Sequence, residues 1–309
     1  MADHLDGTVK GHDPAMRHPR PPRPPSPERS AELRRRFAEE ARSERPDLAT
    51  LCLLVGAVAD GTLDEAGMDG VQVELDRLAG QLPFRPGTPL AWATALRDLL
   101  GERYGFHGAA ADYRRLESSL LHEVLRRRRG LPILLSVVWL EVARRAGAPV
   151  YGVALPGHFV VGLGAGSGPE SGSLEERVLV DPYDGGRVLG GKDAEVLVAG
   201  ATGAELRPSM LEPAAPLDVV SRVLNNVRAW AAGRPEQSAV GLWAIELALL
   251  LPAHAARLRY ERARLLVRRG EFLAGARELD AYAEVVEVVD DGAAEQVRGE
   301  ARVARAMLN

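Results

Sequence analysis

Cysteine is almost missing from the chain: Cys52 stands alone among 309 residues. A single thiol excludes an internal disulfide and any multi-cysteine metal site. No apolar run approaches the roughly 20 residues needed to span a bilayer, so no membrane association is expected. The opening MADHLDGTVKGHD has no apolar stretch of the kind a secretory signal requires, and none is expected. Excess positive charge is also lacking. The formal net charge is −4, which argues against bulk attraction to nucleic acid or acidic membrane. What is present, 46% hydrophobic and 27% charged residues, is ordinary soluble composition. It fits about two domains in the cytoplasm.

Residues 1–29 are rich in Pro, Arg and His, with P-R-P-P-R-P-P-S-P at 19–27. Such a segment cannot bury a core and reads as a disordered, solvated tail. Helical spacing then runs over 30–43, 47–59, 64–80, 89–104 and 117–129. Asp47 suits the N-cap of the second segment. Gly130 breaks the chain, and Pro132 suits the first turn of the next helix, where its missing N–H costs nothing. That helix, 132–146, is apolar on nearly every side and is expected to be buried. Residues 151–155, 158–163 and 177–181 read as strands, with a Gly/Ser-rich loop at 164–173. The expected class is α+β, a central buried helix packed on an antiparallel sheet.

Residues 190–216 are Gly- and Pro-rich and read as a boundary, followed by helices over 217–232, 236–251, 255–269 and 271–288. The run L-L-V-R-R-G-E-F-L-A-G-A-R-E-L resembles the tetratricopeptide repeat, with Gly270, Phe272 and Ala276 in its characteristic places. About one and a half repeats are too few for a free-standing solenoid, so these helices should dock on the main domain. The expected division is a tail over 1–29, an α+β domain over 30–215 and a helical repeat-like region over 216–309.

The chemistry concentrates between Gly130 and Gly186. His158 follows the apolar helix in A-L-P-G-H-F-V-V, and Asp181 ends the next strand in D-P-Y-D-G-G. A histidine base oriented by a carboxylate would serve a nucleophile at the head of the helix, where the macrodipole favours a thiolate. Pro132 occupies that place. The chain resembles the SirB-type transglutaminase-like family of bacteria over roughly 45–290, on Y-G-F-H-G-A-A-A-D-Y, S-S-L-L-H-E-V-L-R-R-R-R-G-L-P-I-L-L-S, A-L-P-G-H-F-V-V, D-P-Y-D-G-G and R-V-L-N-N-V-R-A-W. The resemblance implies a papain- or transglutaminase-like core, with His158 and Asp181 in the histidine and aspartate places and Pro132 in the cysteine place. That family typically carries proline there. Ser118 and Leu134 depart from its usual Asn and its usual Thr or Ser.

Loss of a triad nucleophile costs on the order of 10⁶ in turnover. Cys52, in D-L-A-T-L-C-L-L-V, reads as a small buried hydrophobe. Ser136 lies one turn below Pro132 and reads as a helix serine bonded to a backbone carbonyl. A metal set of His158, Asp181 and Asp184 lacks a recognisable ligand spacing, and no cofactor or metal is expected. His122-Glu123 is no zincin motif, because position 126 is Arg. Arg126–Arg129 reads as a solvated face complementing a helix C-terminus. Three functions stay open. One is a non-catalytic regulatory module that binds a protein or peptide. Another is a peptidase- or amidase-type hydrolase using water or Ser136 with His158 and Asp181. The third is a scaffold working through its C-terminal helices alone.

Overall fold

A computed structural model describes residues 23–83, 87–164 and 177–308. Most of the Pro/Arg-rich tail and of the Gly/Ser-rich loop lies outside the described residues. The chain opens with helices α1 (Pro27–Ala41), α2 (Leu48–Ala59), α3 (Glu65–Ala79) and α4 (Pro89–Leu96). Side chains cap all four: Ser26, Asp47, Asp64 and Thr88 accept from Arg29, Thr50, Gly67 and Ala91 N–H. The expected single helix over 89–104 is two. At Arg97–Arg103 the ladder widens to a π-helix, closing with Tyr104 N–H on the Leu99 carbonyl at 3.0 Å. Helix α5 (Leu121–Arg127) is shorter than 117–129. A 3₁₀ turn at Leu116–Ser119 precedes it, and Arg128 ends it in the left-handed region at φ 56°.

Helix α6 (Pro132–Arg145) is buried around its circumference from Pro132 to Ala143. Its one buried charge, Glu141, accepts from Arg144 at 2.6 Å. Against α6 lies an antiparallel meander in the order β1 (Val150–Val153), β2 (Val160–Leu163), β3 (Val178–Asp181), β4 (Arg187–Leu189). Strand alternation sets the layers. Val161, Leu163 and Val180 join the α6 side, while Val153, Val160 and Leu189 face α7 (Asp193–Thr202) on the other. Helix α7 occupies part of the stretch 190–216 read as a boundary, and β4, just before it, has no counterpart among the expected strands. The strand is three residues long and the helix is rich in Gly and Ala, so neither carries a strong apolar period.

The C-terminal helices are α8 (Pro216–Ala232), α9 (Ser238–Leu250), α10 (Arg257–Arg268), α11 (Phe272–Glu287) and α12 (Asp291–Ala306). Helix α12 has no counterpart in the sequence reading; its buried face is Ala294, Val297, Ala301 and Ala304, three alanines and one valine in place of large aliphatic residues. Helices α8 and α9 belong to the main core, which Leu258 at the start of α10 joins, whereas Ala263 of α10 closes a second, alanine-rich cluster with α11 and α12. Among the described residues no helix is long and apolar enough to cross a membrane.

Candidate functional site

His158 does not lie on a strand. It sits in the turn before β2, where its N–H donates to the Leu155 carbonyl at 3.2 Å. Pro156 and Gly157 start that strand later than the apolar pattern implied, and Gly157 takes φ +72°. His158 Nε2 donates to Asp181 Oδ2 at 2.9 Å, with side chains 12% and 5% exposed. The other carboxylate oxygen accepts the Tyr183 N–H at 2.9 Å. Asp181 therefore both caps the Pro182–Asp184 turn and fixes the imidazole. With Nε2 committed, Nδ1 is the nitrogen left for a second partner, the arrangement a base needs.

Three elements hold this pair in place. From α8, the Arg222 guanidinium donates to the carbonyls of Leu155 and His158 at 2.6 and 2.7 Å and lies 5.8 Å from the Phe159 ring centroid. Burial lowers the Arg222 pKa. Tyr183 meets the His158 ring edge to face, 5.9 Å between centroids, and Tyr113 meets Tyr183 at 6.3 Å. Burial raises both phenols above the usual tyrosine range. Gly108 allows the contact, since a Cβ there would stand 1.9 Å from the Tyr183 ring.

The nucleophile place holds no reactive group. Pro132 is the buried first residue of α6 and offers nothing ionisable. One turn on, Ser136 is fully buried and its hydroxyl donates to the Phe159 carbonyl at 3.2 Å, which ties α6 to the start of β2. Cys52 is also buried, and desolvation raises its thiol far above the range of a reactive thiolate. Asp184 turns outward to Arg187 at 2.7 Å rather than joining His158 and Asp181. Among the described residues no group of three or more potential metal donors converges.

Sequence reasoning missed a buried polar cluster beside the site. Asp112, 3% exposed, accepts from the Ala109 N–H at 2.9 Å and from the Ser118 hydroxyl at 3.2 Å. It also pairs with Arg127 at 3.3 Å and Arg129 at 3.4 Å. The basic run is thus no plain solvated face, because two of its four arginines serve a buried carboxylate. Arg129 donates to His107 Nε2 at 2.7 Å while His107 Nδ1 donates to the Gly105 carbonyl at 2.8 Å, a pair of contacts that orients the ring. An acidic residue beside aromatics in Y-G-F-H-G-A-A-A-D-Y was the available signal.

Residues 69–225 match the model of the transglutaminase-like superfamily, and residues 227–309 match a tetratricopeptide repeat model. A UPF0162 protein of Xylella fastidiosa is 34% identical over 145 residues, covering 45% of this chain and 48% of that protein. A second from another strain is 31% identical over 177 residues, covering 55% and 59%. The chain spans about half the length of these curated relatives. The F-box only protein 21 of Mus musculus is 31% identical over 104 residues, 34% of this chain and 17% of that protein. The crystal structure of menin aligns with 88% of this chain and 70% of its own at a TM-score of 0.40 and 14% identity, a likeness too weak to bear on fold or function.

Proposed function

The chain belongs to the transglutaminase-like superfamily, and from that premise we propose that it is a non-catalytic member, close to the SirB type, that works by binding a protein or peptide. One observation carries this reading: the His158–Asp181 pair is intact at 2.9 Å while the residue at the head of α6 is proline. The two other hydroxyl or thiol candidates support it. Ser136 is spent on a backbone carbonyl, and Cys52 is buried and held protonated. A base and its orienter without a nucleophile can still position a hydrogen-bonding ligand. The tetratricopeptide match over 227–309 adds helices of a kind suited to holding a partner.

The test is an assay of amine incorporation and of amide hydrolysis by the purified full chain, run beside His158→Ala. Equal, background rates are expected. Turnover that disappears in His158→Ala would defeat the proposal and restore a hydrolase or transferase.

A further inference from the structure

We propose that the groove along the outer face of α10 is a docking site for an acidic peptide segment of a partner protein carrying an apolar anchor residue. This rests on the binding reading above and gives it a place and a chemistry. Helix α10 segregates its side chains sharply. Leu258, Ala263, Leu265 and Leu266 are buried, while Arg257, Tyr260, Arg264 and Arg268 recur at three- and four-residue spacing on another face. Two contiguous hollows lie along that face. The first, about 520 Å³, is walled by α8 and α10 and adds Arg228. The second, about 320 Å³, runs between α10 and α12 and is floored by Leu279 beside Val303 and Met307. Arg264 and Arg268 line both.

Charge selects the occupant. Arg257, Arg264 and Arg268 of α10 and Arg228 of α8 line the first hollow against a single acid, Glu261, which pairs with both Arg228 and Arg257. Arg264 reaches Glu300 at a long 3.7 Å and lies 5.5 Å from the Tyr260 ring centroid. Arg268 has no ion-pair partner among the described residues. Planar guanidiniums in excess, held on a rigid helix, recognise carboxylates in two-pronged fashion. The second hollow, which adds Glu300 to Arg264 and Arg268, offers an apolar wall as well: Val303 and Met307 are 57% and 53% exposed, one turn apart at the end of α12. An acidic segment would lay its carboxylates on Arg264 and Arg268 and drop one apolar side chain between α10 and α12.

The experiment uses the full chain and three fluorescein-labelled peptides, read by anisotropy. The first has two leucines flanked on each side by three glutamates. The second replaces glutamate by glutamine, and the third replaces leucine by serine. The first should bind, weaken steeply with salt, and outbind each of the others by tenfold or more. Arg264→Glu/Arg268→Glu and, separately, Val303→Asp should each cost at least tenfold, with unchanged circular dichroism and melting temperature. Equal binding of the glutamine peptide, indifference to these substitutions, or no binding of the first peptide at about 1 mM would overturn the assignment. So would self-association of the wild type that Val303→Asp abolishes, since a second copy would then be the occupant. None of those results touches the proposal of a non-catalytic protein, which fails only on turnover dependent on His158.

Discussion

Arg222→Ala should loosen the turn that carries His158 without unfolding the protein. The guanidinium makes two short bonds, 2.6 and 2.7 Å, to the carbonyls of Leu155 and His158. Hydrogen bonds to a charged donor contribute about 1.5–3 kcal/mol each. The arginine is partly buried, which lowers its pKa, and removing it relieves that desolvation cost. Water can also enter the space and solvate the freed carbonyls. A local loss of about 2–3 kcal/mol follows, or roughly a 30- to 150-fold rise in the opening of the 155–159 turn.

Amide hydrogen exchange reads that number directly. In Arg222→Ala, protection should fall by that factor at His158 and its neighbours, while α11 and α12 keep their rates. Arg222→Lys should lie between, because a compact ammonium reaches one carbonyl better than two. Unchanged protection over 155–159, with a lowered melting temperature, would refute the idea that Arg222 acts on the turn. It would leave a generic packing role.

Gly186→Ala should destabilise by about 3 kcal/mol or more, seen as a lower urea midpoint, since a Cβ at φ +87° would stand 2.0 Å from the buried Trp139 ring. Asp112→Ala should cost about 2–3 kcal/mol in the same assay, below the 3–5 of a sealed buried pair, because Arg129 is 35% exposed and screened. Asp112→Asn should cost less, because it keeps the acceptor for the Ala109 N–H. His122 has both ring nitrogens buried without a partner, and burial lowers its pKa. The unfolded chain therefore binds a proton that the folded chain refuses, and stability falls as pH drops below about 6.5, by at most about 1.4 kcal/mol per unit. His122→Leu should flatten that part of a stability–pH profile relative to wild type, and an identical slope in both would count against it.

Much of the site was legible because its signals are local. Pro132 after Gly130 marks a helix start by its own geometry, and the all-round apolar run behind it marks a buried helix. His158 and Asp181 stand out because A-L-P-G-H and D-P-Y-D-G-G place them at element ends. What was missed depends on distant partners. Arg222 reads from sequence as one more exposed arginine of α8, and only the fold brings it 64 residues back to the His158 carbonyl. Asp112 carries no local signal of its role, and its pairing with Arg127 spans 15 residues of chain. Helix α12 was missed although its charged and apolar residues segregate, because its buried face is alanine and one valine rather than large aliphatic residues.

The two family matches abut in the middle of α8, one ending at residue 225 and the other beginning at 227, but the physics does not divide there. Val219, Val220, Val223, Leu224 and Val227 of α8 all sit in the main core. At about 1.5 kcal/mol or more for each buried Val or Leu side chain, removing α8 strips at least about 7 kcal/mol from that core. This is comparable with the whole stability of a typical domain, about 5–15 kcal/mol. Deleting 217–309 would therefore unfold the α+β part rather than isolate it. A cut after Leu251 keeps α8 and α9 on the main core and takes only Leu258 from it, since Ala263 of α10 closes with Ala276, Leu279 and Ala283 in the second cluster. The shortened chain should keep Arg222 on the His158 turn, with native exchange protection at 155–159, and lose the α10 wall of the groove with all acidic-peptide binding. Loss of protection at 155–159 in that chain would show that α10–α12 help to hold the site, and retained peptide binding would place the groove elsewhere.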